Sequence, residues 1–455
     1  MAVNPNGASG ARWRWHWALV AMTGALALIY IDQTAVAVAL PTIGDELGLS
    51  DLALQWVINA YLLALAGTVA IAGRLGDVYG RRRLFLAGTT ILALGSVAGA
   101  LAQDELLMLS GRVLQGIGAG MMMPNATGLV SESYAEHERG RALGICLGVS
   151  GAFLALGPVI GGVLVDAFGW RSVFVLNLPV IGCVAGLVFL RVAGRRGAAG
   201  ARVSDPLGAG VVIAALVAIV IALMQAESWG WTSARTIALG GGGSLALAVA
   251  IVRELRIPAP FFNLRLFAQR TYAGASLGVS VNRLAVVIVT VYTSIYLQQV
   301  IGMSASTAGV ALLALALPTV VAAPLAGRLA DRVGPAGVCN FGMVVTAAGA
   351  LLVAVGMDRQ GTALVIVGLV PIAIGSGVVQ PSANLAAMNT VAGEQESEAF
   401  GLMAASRQLA ATLGLAVIGG IIVTADLATG FYVTAALCAV AAAVTAWLLR
   451  RGPRA

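Results

Sequence analysis

The sequence predicts an all-α integral membrane protein: two six-helix bundles with two further membrane helices inserted between them. Three observations lead there. The chain is 59% hydrophobic and 10% charged, with mean hydropathy +0.93. A soluble domain carries about a quarter charged residues, so lipid is the main solvent here. Apolar runs near the ~20 residues that cross a bilayer recur fourteen times, at 17–40, 53–73, 84–103, 106–130, 141–164, 172–191, 207–225, 235–252, 272–297, 306–325, 337–356, 361–390, 400–424 and 428–449. An early block also returns late. Gly73-Arg74-Leu75-Gly76-Asp77-Val78-Tyr79-Gly80 recurs 254 residues on as Gly327-Arg328-Leu329-Ala330-Asp331-Arg332-Val333-Gly334. Gly118, Gly120, Pro124 and Gly144 match Gly375, Gly377, Pro381 and Gly401 at an offset of 257. Internal repeats around a midplane site are the plan of a machine with alternating openings.

The elements follow in order. The first residues are polar and basic, and the apolar run behind them is too long for a signal-peptide core, so no cleavable signal is expected. Trp13, Trp15 and Trp17 suit a membrane interface. Residues 1–191 hold six spans. Residues 192–206, rich in Gly, Ala and Arg, read as a flexible cytoplasmic linker. Residues 207–252 hold the two inserted spans, and 253–455 the last six. The repeat offset supports this division. Six spans with a linker take ~200 residues, so the offset leaves ~55, enough for two more helices.

Arginine placement sets the expected orientation. Arg74, Arg81 to Arg83, Arg139, Arg141, Arg253, Arg256, Arg265, Arg270, Arg328 and Arg332 fall in loops on one side, whereas the other side holds Arg171, Arg235 and Arg359. The positive-inside rule places the first side, and both termini, in the cytoplasm; Arg without Lys suits a GC-rich bacterial genome, so the expected location is the bacterial inner membrane.

Composition excludes several function classes. All 27 basic residues are Arg. A phosphate loop of the GxxxxGK[ST] type needs Lys, so nucleotide hydrolysis by that route is out, as is Schiff-base chemistry. The net charge of +7 sits in short loops between spans, which is no nucleic-acid surface. Cys146, Cys183, Cys339 and Cys438 form no CxxC and read as small buried hydrophobes. His16 and His137 lie outside the apolar runs and build no metal site. One deep acid and no deep His argue against a membrane enzyme.

The chemistry concentrates in a few places. Asp32 is the one acid well inside a span, ~12 Å from the outer boundary at 1.5 Å per residue. Burying its charge costs about 2.5–3.5 kcal/mol on insertion scales; desolvation favours its protonated form and a nearby Arg opposes that. Arg112 enters span four to a depth of ~10 Å, so the two are expected to form an exchangeable ion pair. In the repeated loop, Gly73 and Gly80 permit a tight turn, Asp77 can meet a helix N-terminus or an Arg across the interface as a latch, and Arg81 and Arg82 follow. Pro158 breaks span five, while Gly157, Gly161 and Gly162 allow close packing and rocking. Gln55, Asn59, Asn125, Asn282, Arg283, Gln380, Asn384 and Arg407 are polar residues within spans and candidates to line a substrate cavity.

The loop motif resembles the signature loop between spans two and three of the major facilitator superfamily. Asp32-Gln33-Thr34 with Ala39-Leu40-Pro41 looks like the first-span motif of its fourteen-span drug:proton antiporters. Arg112-Val113-Leu114-Gln115-Gly116-Ile117-Gly118-Ala119-Gly120 resembles their fourth-span Arg motif, and Gly157-Pro158-Val159-Ile160-Gly161-Gly162 their fifth-span antiporter motif. Trp170-Arg171, Phe174, Asn177 and Pro179 resemble the family's entry to span six. Val78 and Phe153 depart from the pattern, where a basic residue and a glycine are usual. The resemblance implies the major facilitator fold and proton-coupled efflux of lipophilic drugs or antibiotics, with small lipophilic substrates and protons as partners. The energy source would be the proton gradient, with no cofactor, no nucleotide and a monomer as the working unit. The alternative is a dedicated exporter of one self-made antibiotic or other anionic or neutral natural product.

Overall fold

The structure, a computed structural model, describes residues 6–192, 205–257, 260–391 and 396–449. Most of the expected 192–206 linker, and the side chains of Trp13, Trp15, His16 and His137, lie outside the described residues. Regular structure among the described residues is all helical: α1 (Asn6–Leu47), α2 (Asp51–Tyr79), α3 (Arg81–Ala100), α4 (Glu105–Ser133), α5 (Glu136–Phe168), α6 (Arg171–Arg191), α7 (Pro206–Trp229), α8 (Ala234–Arg256), α9 (Arg270–Ile295), α10 (Ala305–Ala311), α11 (Leu313–Val333), α12 (Pro335–Asp358), α13 (Thr362–Met388), α14 (Glu396–Thr424) and α15 (Leu427–Leu449). Thirteen described helical segments are long and apolar enough to cross a bilayer, and the bent α5 makes a fourteenth span.

Local chemistry sets the helix ends. Ser50, Asp104, Asp205, Ser233 and Ser304 cap α2, α4, α7, α8 and α10 by accepting from the backbone N–H three residues on, which satisfies donors that have no partner within the helix. Gly80 (φ 98°) and Gly334 (φ 89°) close the two copies of the repeated loop in the same left-handed backbone region, which a side chain rarely tolerates.

The repeat is visible in packing as well. A methyl group on Gly95 would meet the Gln115 N at 2.6 Å, and one on Gly118 the Leu92 N at 2.5 Å, so α3 and α4 touch backbone to backbone. Gly349 and Gly375 do the same for α12 and α13, at 2.7 Å from the Ile372 N and 2.5 Å from the Gly342 O. Without a hydrophobic drive between helices in lipid, such close approach of small residues supplies the association energy.

Two spans depart from straight helices. The run expected as one span at 306–325 is α10 and α11 joined at Leu312, where the Leu315 N–H bonds three residues back. The α5 helix bends by 42° between Leu154 and Leu156, because Pro158 has no N–H for the Leu154 carbonyl. The inserted hairpin α7–α8 packs against both halves: Val220 and Met224 meet Leu63 of α2 and Ala416 of α14.

The two ends of the molecule differ. At the arginine-poor end the halves are closed on each other. A methyl on Gly162 of α5 would lie 2.4 Å from the Ala305 O, and one on Gly309 of α10 2.3 Å from the Pro158 O. Asp166 accepts from the Ala305 and Ser306 N–H at 3.2 and 2.9 Å, and Gln298 donates to the Val38 O at 3.0 Å. Toward the arginine-rich end, methyls on Gly144, Gly148 and Gly151 of α5, Gly327 of α11 and Gly401 of α14 would touch nothing within 4 Å. Between the halves lies a cavity with about 830 Å³ of empty space, counted to its open mouth.

Candidate functional site

Five helices converge on Asp32, which is 2% exposed. Arg112 of α4 donates from Nη1 to Asp32 Oδ2 at 2.8 Å and to Gln115 Oε1 at 2.7 Å, and from Nε to the Val57 O of α2 at 2.9 Å. Gln115 and Asn177 of α6 donate to Asp32 Oδ1 at 3.2 and 2.8 Å, and both also donate to Ser96 Oγ of α3. The Arg112 guanidinium lies 4.3 Å from the centre of the Tyr61 ring, a cation–π contact that partly replaces hydration. Every one of these bonds to Asp32 comes from a donor, the pattern that serves an ionised carboxylate. The pair expected from depth along α1 and α4 is thus formed, within a wider polar cluster. Gln115 and Asn177 stand in motif segments already singled out; Ser96 carries no signal of its own.

The residues after Asp32 lead elsewhere. Gln33 and Thr34 line the cavity. Thr34 Oγ1 has three carbonyls within reach of its one proton: Tyr30 O at 3.0 Å and Ile31 O at 3.3 Å on its own helix, and at 3.3 Å the Leu154 O, which Pro158 leaves without its helical donor. A methyl on Gly157 would fall on the Thr34 hydroxyl, and one on Gly161 would lie 2.7 Å from the Ala35 Cα. The Gly157-Pro158 segment therefore sets the distance between α1 and α5, while Gly162 faces α10 in the other half.

The eight polar cavity candidates disperse. Arg283 of α9 lies in the cavity wall and donates to Gln33 Oε1 at 2.7 Å. Arg407 of α14 is close enough for its charge to act on Arg283. Gln55 is buried near Tyr292 and Gly419, at the contact of α2 with α14. Asn59 donates to the Met224 sulfur of the inserted hairpin at 2.9 Å. Asn125 donates to the Ala72 and Met121 carbonyls, and Asn282 to Thr346 Oγ1 of α12 at 3.1 Å. Gln380 is exposed and Asn384 half-buried, and neither is in the cavity wall. The wall is otherwise mostly aliphatic, with Ile58, Leu62, Val287 and Leu315 among its residues.

At the arginine-rich end the repeated loop ties its own half together. Arg81 pairs with Asp77 at 2.8 Å and with Glu132 of α4 at 3.2 Å. Arg82 donates to the Val188 and Phe189 carbonyls, where a cation complements the C-terminal end of α6. Asp77 remains half-exposed, and its ion-pair partner among the described residues, Arg81, belongs to its own loop. Arg74 reaches furthest, donating to the Pro260 O and stacking over Phe261 at 4.5 Å.

Fourteen spans in two related halves, around a cavity and closed on each other at the arginine-poor end, have the plan of a secondary transporter that works by alternating access. The chain belongs to the Major Facilitator Superfamily, whose family profile matches residues 22–206 and 275–455. It is 35% identical to the tetracenomycin C resistance and export protein of Streptomyces glaucescens, over 90% of this chain and 77% of that one. It is 33% identical to the multidrug resistance protein Stp of Mycobacterium tuberculosis, over 89% and 75%, and 33% identical to the puromycin resistance protein pur8 of Streptomyces alboniger, over 89% and 81%. Among solved structures, a POT family transporter in complex with 5-aminolevulinic acid superposes with TM-score 0.72 over 95% of each chain. Their sequence identity is 16%, so that likeness is one of fold.

Proposed function

We propose that this chain exports small lipophilic compounds, drugs or antibiotics, across the bacterial cell membrane in exchange for protons. The arginine-rich end and both termini face the cytoplasm, and the structure is then the inward-open state. The monomer is the working unit, and the proton gradient is the energy source.

One observation carries the reading. Asp32, Gln33 and Thr34 are consecutive on α1, where successive side chains point about 100° apart. They touch the buried ion pair, the cavity wall and the bent helix α5 respectively. A proton on Asp32 removes the charge that Arg112 and two amides hold. Breaking a buried pair costs about 3–5 kcal/mol, and a full swing of a two-state equilibrium from 1:99 to 99:1 takes about 5.5 kcal/mol. One protonation is therefore of the right size to bias α1, and through Thr34 and Gly157 the packing of α5 against α10.

The test is transport in proteoliposomes with an imposed proton gradient, using lipophilic dyes of both charges, for wild type and Asp32→Asn. Gradient-driven accumulation should vanish in the variant, while exchange without a gradient persists. Accumulation by Asp32→Asn at the wild-type rate would remove Asp32 from the coupling step. The second reading, a dedicated exporter of one self-made compound, is favoured by the guanidinium in the cavity wall.

A further inference from the structure

The cavity carries positive charge with no acid to balance it. Arg283 is in the wall, and no Asp or Glu lines it. The one hydrogen bond that Arg283 makes among the described residues is to a neutral amide, Gln33 Oε1. Arg407 acts on Arg283 as a like charge, and it too has no carboxylate within 4.0 Å among the described residues. The contrast with Arg112 is direct. That guanidinium is fully buried, with a carboxylate at 2.8 Å and the Gln115 amide oxygen at 2.7 Å, whereas Arg283 is partly exposed in the cavity wall.

Charged residues within membrane spans pair with one another or face a cavity, where they mark substrate pathways; Arg283, in the cavity wall without a carboxylate partner among the described residues, is of the second kind. An arginine also presents a planar fork of donors that fits a carboxylate or similar oxyanion, and Gln33 occupies only part of it. Asp32 cannot serve as counter-ion to a cationic substrate without giving up Arg112, and it does not line the cavity. The aliphatic wall around Ile58 and Leu315 suits an apolar body.

We propose that the cavity takes an amphiphilic organic anion: an apolar body with an ionised carboxylate or acidic hydroxyl, held against Arg283 within the field of Arg407. The proposal rests on the exporter reading and narrows its substrate class. A bound anion neutralises the charge that two arginines otherwise concentrate at the seam between α9 and α14. A lipophilic cation adds to that charge and meets no acid in the wall.

The experiment uses two fluorescent probes of like body and opposite charge, pyrenebutyrate and pyrenemethylammonium. Binding to purified protein is measured against empty micelles, for wild type, Arg283→Gln, Arg283→Lys and Arg407→Gln, each checked by thermal melting. The anion should bind at least about tenfold tighter than the cation. Arg283→Gln should lower anion affinity about tenfold, Arg407→Gln less, and Arg283→Lys should restore most of it, since a purely structural role would not track charge. Equal binding of the cation, or unchanged anion affinity in Arg283→Gln, overturns the proposal. The same probes in gradient-energised proteoliposomes separate the two readings. Transport of the cation but not the anion refutes the anion site and leaves export standing. Charge-dependent anion binding without transport of either probe supports the site and refutes export.

Discussion

The closure at the arginine-poor end rests on two glycines, and that makes it open to a quantitative test. A methyl group at Gly162 would lie 2.4 Å from the Ala305 O and 2.7 Å from the Ser306 Cα, and one at Gly309 would lie 2.3 Å from the Pro158 O. The obstructing atoms are backbone, so no rotamer change relieves the clash. Overpacking a close contact of this kind costs about 1–3 kcal/mol. Both contacts run between the halves and exist only while this end is shut. The cost therefore falls on this state alone, and the equilibrium should move about 5- to 150-fold toward the opposite opening. Because both methyls strain one helix pair, the double variant should show less than the sum.

Spin labels at Gln103 and Gln360, exposed positions in the arginine-poor loops of the two halves, report the separation directly once the exposed Cys183 is replaced by serine. Gly162→Ala and Gly309→Ala should each populate a longer distance. Gly182→Ala of α6, where a methyl touches nothing within 4 Å, should leave the distribution as in wild type. If the two interface variants match Gly182→Ala, the closure does not depend on these glycines and the reasoning fails.

Two further outcomes follow from single contacts. Thr34→Val keeps the shape but removes the one hydroxyl proton that the Tyr30, Ile31 and Leu154 carbonyls share, at about 0.5–1.5 kcal/mol for a typical hydrogen bond. Its melting temperature should fall, and transport should fall with it, while the Asp32–Arg112 pair stays intact. At the membrane edge, Asp205 is held below the ordinary carboxylate range chiefly by the Arg253 hydrogen bond, with burial opposing and the Gly208 N–H assisting. A depressed carboxyl stabilises the fold above its unfolded pKa of about 4 and loses that contribution as pH falls through its folded value. Asp205→Asn should therefore melt below wild type at neutral pH, with the gap closing in acid. A gap independent of pH would mean that the charge contributes nothing.

The span plan was legible because lipid imposes a length on every helix, and repeats 254 and 257 residues apart expose the two halves. Depth was legible too. Counting residues into α1 and α4 placed Asp32 and Arg112 level, and they meet. Azimuth was not. Asn59 and Asn282 are polar residues in apolar helices, as Arg283 is, yet Asn59 faces the Met224 sulfur and Asn282 faces Thr346, while Arg283 reaches the cavity. Which way a polar side chain turns is set by the neighbour able to satisfy it, and that neighbour lies on another helix. Cys183 illustrates the same limit: read as a small buried residue, it is exposed on α6, whereas the other three cysteines are buried. Gln298 and Asp166 escaped notice for a related reason. Their partners are backbone groups of other helices, and backbone carries no sequence signal.

The two ends close by different chemistry, and this bears on how the cycle is driven. At the arginine-poor end the contacts are glycine against backbone, with Asp166 at the start of α10. Such contacts are short-ranged, so they are made or lost over a small displacement, as a bistable interface requires. At the arginine-rich end the groups available are charged and part-exposed, with Arg74, Asp77 and Arg81 on the repeated loop. Their interactions reach about a Debye length and weaken with salt. The proton proposed to act on Asp32 would lie closer in structure to the first kind of contact, because Thr34, two residues on, packs against Gly157 of the α5 segment that carries Gly162. Under the proposed exchange, the proton-linked step then falls at release of the arginine-poor closure. On the same proposal the charged loops follow at the other end, and the expected latch role of Asp77 would need it to exchange Arg81 for a partner across the interface.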